Sequence, residues 1–126
     1  MALEQKEQQE LACWLDHQQL VWLHIPNEGL KSINYHTKMK AQGLKSGAPD
    51  VLIFDPPPKF PHKKGVAIEL KRSNGGSLSR EQRQWLADLD ALGWITKCCH
   101  GAQEAISFLI SIGYGGRSII EVRGLL

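Results

Sequence analysis

The stretches GAPDVLIF (residues 47–54) and IELKRSNGG (residues 68–76) decide how this chain is read. Each holds a strand-length run of β-branched and large aliphatic residues, and each carries charge among them. Asp50 precedes Val51, Leu52 and Ile53, while Glu69 and Lys71 flank Leu70. Side chains alternate across a strand, so Glu69 and Lys71 share one face and Ile68 and Leu70 the other. One face is expected to be core and the other to carry chemistry. A carboxylate or ammonium buried without compensation is expensive, so each must reach water, a metal or an opposite charge. Asp50 follows Pro49 at the start of a neighbouring strand, and adjacent strands lie about 5 Å apart. Asp50 and Glu69 can therefore converge on one cation.

Two carboxylates aided by a backbone carbonyl and waters suit Mg²⁺, which prefers hard oxygen ligands and keeps several waters beside a phosphate substrate. A metal held there polarises a phosphoryl oxygen and lowers the pKa of a bound water. Lys71, on the same face, could orient or deprotonate that water. The set reads as a phosphodiester hydrolase. The plain alternative is an exposed strand face whose charges pair with one another, since Glu-x-Lys triplets are common. What favours the hydrolase is the order: a Pro-Asp, a hydrophobic strand, a second strand bearing Glu-x-Lys, and then a helix.

Outward from these strands, the 126 residues make a single domain, 1–126. No apolar run approaches the roughly 20 residues needed to cross a bilayer, and the opening MALEQKEQQE is charged and helical, unlike a signal peptide. A soluble, cytoplasmic protein with no membrane partner is expected. Cys13, Cys98 and Cys99 lack C-x-x-C spacing and read as reduced, structural thiols. The formal charge is only +2, but nine lysines and arginines between Lys31 and Arg72 face just three acids there, Asp50, Asp55 and Glu69. That locally basic centre fits a nucleic-acid partner or, equally, solvated loops.

Helical spacing of Leu3, Leu11, Trp14 and Leu15 predicts a helix from residue 3 to about 19, with Glu4, Gln8, Leu11 and Leu15 along one side. LVWLHI (20–25) is a strand candidate stopped by Pro26, and residues 35–43 form a short basic helix ending at Gly43. DPPPKFPHKKG (55–65) must be an irregular, proline-stiffened loop. Ser79 reads as the N-cap of a helix carrying Trp85, Leu86 and Leu89 and ending at Gly93, with Gln82 at the capping-box position. WITKCC (94–99) is a further strand and AQEAISFLISIGY (102–114) a final amphipathic helix. The tail, residues 115–126, is an extension open to a strand or a dimer contact. The class is α/β with a mixed sheet flanked by helices.

Pro49-Asp50 and Glu69-Leu70-Lys71 resemble the two signature elements of the PD-(D/E)xK nuclease superfamily. More narrowly, HIPNEG (24–29), GLKSGAPDVLIF (43–54), AIELKRSNGGSLSREQRQWLADL (67–89) and the later Gly-Trp before a helix are similar to the VRR-NUC family of stand-alone phage and bacterial nucleases. The likeness runs from residue 4 to about 114. It implies a restriction-endonuclease-like core, Mg²⁺- or Mn²⁺-dependent cleavage of DNA, and a homodimer acting on branched substrates such as Holliday junctions. Position by position, it implies that Asp50, Glu69 and the Leu70 carbonyl are metal ligands and Lys71 the catalytic lysine. The family's first-helix Glu-x-x-x-Gln maps on Glu4 and Gln8, adding Glu4 to the site and its metal ligands; Glu7 or Glu10 would take that role in another register. Gln82 matches a glutamine beside the active site, with the cap of its own helix as the alternative. Asn27 matches the family's Pro-Asn, with an Asx-turn as the alternative. The long proline loop and the tail depart from the pattern, which touches substrate choice and assembly.

Other constellations carry less. The histidines and Cys98 and Cys99 match no zinc spacing, the four tryptophans fall at core positions, and NGGS (74–77) lacks the pattern of a nucleotide loop. The alternatives to a junction-cleaving enzyme are a less selective nicking or restriction-like nuclease and a non-catalytic DNA-binding module.

Overall fold

The computed structural model describes residues 3–26 and 33–116. Four helices and four strands follow in the order α1 (Leu3–His17), β1 (Trp22–His24), α2 (Ile33–Ala41), β2 (Val51–Ile53), β3 (Val66–Lys71), α3 (Arg80–Ala91), β4 (Ile95–His100) and α4 (Ala102–Ser111). The strands form one sheet in the order β1-β2-β3-β4. β1–β2 and β2–β3 are antiparallel, and β3–β4 is parallel across the α3 crossover. This mixed sheet flanked by helices is the α/β class expected of the strand and helix order, and it matches the restriction-endonuclease-like core that the resemblance implies.

The centre of the sheet is aliphatic because its strands are covered by helices. Leu11 and Leu15 of α1 and Ala105 and Leu109 of α4 pack with Val51, Ile53, Val66 and Ile68, all of them fully buried. α1 and α4 also pack against each other, and α3 packs on β3 and β4. Each buried aliphatic side chain contributes about 1.5–3 kcal/mol through removal from water. That cluster is what holds β2 beside β3.

The helix ends show why some predicted boundaries moved. α3 and α4 stop at glycines, Gly93 and Gly113, whose φ of 98° and 111° is left-handed. Trp94 N–H then donates to Leu89 O and Tyr114 N–H to Leu109 O, closing each helix with a Schellman turn. α4 is thus three residues shorter than its amphipathic pattern. α1 ends the same way at Gln19, φ 56°, with Leu20 N–H donating to Leu15 O. No glycine marks that turn, which is why apolar spacing overran it to about residue 19. α2 begins two residues earlier than predicted and ends two earlier, with Gly43 outside it in the turn. β4 runs one residue further, through His100.

The proline-rich segment after β2 is irregular, as expected, but it is anchored. Lys59 N–H donates to Ile112 O, Tyr114 Oη donates to Asp55 O, and Asp55 Oδ1 accepts from Val21 N–H at 2.6 Å. Pro57 is fully buried, and Pro58 and Lys59 approach Gly113 at the end of α4. Most of the tail, with Asn27, lies outside the described residues.

Candidate active site

β2 and β3 pair with Val51 opposite Ile68. One step back along the same register, Asp50 meets Glu69 across the two strands. Leu70 N–H donates to Asp50 Oδ2 at 2.7 Å, so the backbone of one strand fixes the carboxylate of the other. Asp50 itself is held from β1: its carbonyl accepts from Ile25 N–H at 2.8 Å and from His24 Nδ1 at 2.9 Å. A carbonyl only accepts, so His24 Nδ1 carries the proton.

Glu69 is 4% exposed, and its Oε2 is buried with no hydrogen-bond partner. Its Oε1 accepts a 2.8 Å bond from Gln82 Nε2 and stands 3.7 Å from Lys71 Nζ. Lys71 Nζ in turn donates to Gln82 Oε1 at 2.9 Å. Gln82 also belongs to the capping box of α3: its Oε1 accepts from Ser79 N–H at 2.8 Å, and its N–H donates to Ser79 Oγ at 3.1 Å. The one side chain therefore caps α3 and, lining the cleft, bonds both Glu69 and Lys71.

Burial, and then the charge of Asp50, push Glu69 up to about 8. Asp50 is also raised, chiefly by burial, against the lowering effect of the Leu70 N–H. Two carboxylates facing each other, Glu69 buried and Asp50 half-buried, resist ionising together, and a cation between them removes the conflict. Glu69 Oε2, buried with no hydrogen-bond donor, is a hard oxygen whose burial a cation would offset. Asp50 and Glu69, with Leu70 beside them on the cleft wall, thus fit a divalent cation. Among the described residues no group of three or more His, Cys, Asp or Glu side chains gathers around a common point. Mg²⁺ does not require one, since it is commonly held by one or two carboxylates and waters.

These groups line a cleft of about 540 Å³ whose far wall is α1. Gln8 faces into it, and its Nε2 is buried without a partner. Sequence reasoning placed Gln8 beside the site only through the pattern Glu4-x-x-x-Gln8, and it missed that the amide is an unspent donor there. Glu4 belongs to the first turn of α1, and its side chain lies outside the described residues. Of the alternative acids of that helix, Glu7 lines the cleft, and both Glu7 and Glu10 also hold contacts to α4. Glu7 Oε1 accepts from Ala102 N–H at 3.2 Å, capping α4 where Gly101 offers no side chain, and Glu10 Oε2 accepts from Gln103 Nε2 at 2.8 Å. Sequence offered no signal for the Glu7 contact, which joins residues 95 apart.

The three cysteines are free thiols, and burial pushes Cys99 up to about 12. They take no part in the cleft described above.

The VRR-NUC domain family model matches residues 2–103. The chain belongs to the VRR-NUC family. VRR-NUC domains are a nuclease family within the PD-(D/E)xK superfamily, and the matched span includes every residue of the cleft. The fold agrees: a solved "VRR_NUC domain protein" superposes with a TM-score of 0.72 at 21% identity, covering 90% of this chain and 89% of that one. No curated protein matches the chain. Among the described residues of this VRR-NUC domain, no helix is long and apolar enough to cross a membrane.

Proposed function

We propose that this VRR-NUC domain is a divalent-metal-dependent, structure-specific DNA endonuclease that cuts four-way junctions as a homodimer. The observation that carries the reading is the pair of the half-buried Asp50 and the buried Glu69 in one polar cleft, with Lys71 tied to the same group of side chains through Gln82. A Mg²⁺ or Mn²⁺ ion held by Asp50, Glu69 and the Leu70 carbonyl would polarise the scissile phosphate and make water a competent nucleophile at neutral pH.

The protein's own groups do the rest. Leu70 N–H orients the Asp50 carboxylate, and the bonds from His24 and Ile25 fix its backbone, so the group is preorganised for its role. Gln82 orients Glu69 with its amide N–H and Lys71 with its carbonyl, keeping the ammonium at the cleft wall. Lys71 then stabilises charge on the phosphoryl group or orients the attacking water. Gln8 supplies a buried N–H donor suited to a phosphate oxygen. In-line attack by water at phosphorus leaves a 5′-phosphate and a 3′-hydroxyl.

The homodimer rests on the family likeness and on symmetry: two cuts related by a two-fold axis resolve a four-way junction. The deciding assay incubates the protein with a synthetic junction and a matched linear duplex in Mg²⁺, Mn²⁺ or EDTA. Paired, metal-dependent cuts in the junction support the proposal. Equal cutting of both substrates would leave a less selective nuclease, cutting that survives EDTA would remove the metal, and binding without cutting would leave a DNA-binding module.

A further inference from the structure

A second, smaller cleft of about 110 Å³ opens beside the active-site cleft and shares Pro26, Asp50, Glu69 and Gln82 with it. Its remaining wall comes from the end of α2 and the turn that leads into β2, and it carries Lys40 and Lys45. Both lysines are exposed, and among the described residues neither is ion-paired. Among the described residues that line it, the only acids are Asp50 and Glu69, which it shares with the active-site cleft, and the charges it adds are those of Lys40 and Lys45.

The turn that carries Lys45 is fastened to α3. Trp85 Nε1 donates to Ser46 O at 3.0 Å. Gly47 sits at φ 80°, and a Cβ there would lie 2.7 Å from Glu81 Cβ and 2.8 Å from Gln82 N. Solvated lysines gain nothing from such close docking of their backbone. It fixes Lys45 relative to Gln82, and hence relative to the two carboxylates.

We propose that the second cleft is a phosphate subsite in which Lys40 and Lys45 take the phosphate next to the scissile one on the strand being cut. The inference rests on reading the Asp50–Glu69 cleft as a phosphodiesterase site. A chain of phosphodiesters entering the larger cleft must leave it, and the shared walls make the smaller cleft its continuation. The ammonium groups supply charge and hydrogen bonds without base contacts, so the subsite sets the register of the strand and reads no sequence.

The test uses the full chain with Lys40→Ala/Lys45→Ala and a charge-matched control, Lys59→Ala/Lys64→Ala, on the loop after β2. Two substrates are compared in Mn²⁺: a DNA oligonucleotide duplex, and bis(p-nitrophenyl) phosphate, a phosphodiester with no neighbouring phosphate. Binding of a labelled duplex in EDTA is followed by anisotropy across a salt series. The subsite predicts a KM for the oligonucleotide raised roughly five- to tenfold in Lys40→Ala/Lys45→Ala, as expected for losing charge-assisted contacts. It also predicts an unchanged rate on bis(p-nitrophenyl) phosphate and a salt slope shallower by about 0.9. Equal effects in the control, equal slowing on both substrates, or a wild-type slope would overturn it. If the wild type hydrolyses neither substrate, the nuclease reading fails, and the slopes in EDTA alone decide the subsite.

Discussion

Lys71 Nζ donates a 2.9 Å hydrogen bond to Gln82 Oε1, the same atom that accepts from the Ser79 N–H to complete the cap of α3. The orientation of the lysine and the start of the helix thus share one acceptor. Ser79→Ala removes the cap alone and should cost about 1 kcal/mol of stability, with kcat within about twofold of wild type. Gln82→Ala should cost a similar amount and in addition lower kcat by roughly tenfold or more, because Lys71 and Glu69 both lose their partner. Chemical denaturation and single-turnover cleavage read the two effects separately. Equal loss of kcat in both variants would show that Gln82 acts only through the helix.

Glu7 lines the cleft, and its Oε1 is taken by the Ala102 N–H at the start of α4. Glu7→Ala should therefore destabilise the protein by about 1–2 kcal/mol, while the folded variant keeps cleavage within about threefold. Glu7→Gln retains an acceptor oxygen and should recover most of the stability. A large loss of kcat in Glu7→Gln without unfolding would instead place Glu7 in the chemistry.

The pair of carboxylates makes metal-free stability depend on pH. Glu69 titrates near its ordinary value of 4.5 when unfolded and near 8 when folded. Between those values the folded state binds more protons, so its contribution is full below about 4.5, falls as pH rises, and is lost above about 8. The slope is at most about 1.4 kcal/mol per pH unit for one proton. Urea melts in EDTA from pH 4.5 to 9 should show this decline in wild type and a flatter profile in Glu69→Gln. Parallel profiles would mean that Glu69 ionises normally in the fold.

Thiol reactivity should follow burial. Cys13 is exposed, whereas Cys99 is buried and held up near 12. Iodoacetamide at pH 8 should label Cys13 first and leave Cys99 unmodified until the protein unfolds. Rapid native labelling of Cys99 would contradict the packing of β4 against α4.

Much of the site was legible because its signals are local. Period-two alternation placed Glu69 and Lys71 on one face of β3, and a Ser-x-x-Gln pattern marked the start of α3 where Gln82 sits. The pairing of β2 with β3, inferred from two hydrophobic runs, is the pairing seen. What escaped the sequence are contacts set by packing between distant elements. The Glu7–Ala102 cap, the burial of Gln8 Nε2 and the docking of Gly47 on α3 depend on where α1 and the loop before β2 settle, and no spacing encodes that. The left-handed turn at Gln19 was hidden for a different reason: the residue there is not the glycine that such a turn favours.

The central claim is that Asp50 and Glu69 hold a divalent cation, and calorimetric titration of Mn²⁺ into wild type and Asp50→Asn tests it most directly. The substitution keeps the shape of the side chain and removes one of the two charges. Wild type should bind Mn²⁺ with a measurable heat, and Asp50→Asn should bind at least about tenfold more weakly. Equal affinity in the two proteins, or no binding by wild type, would contradict the account.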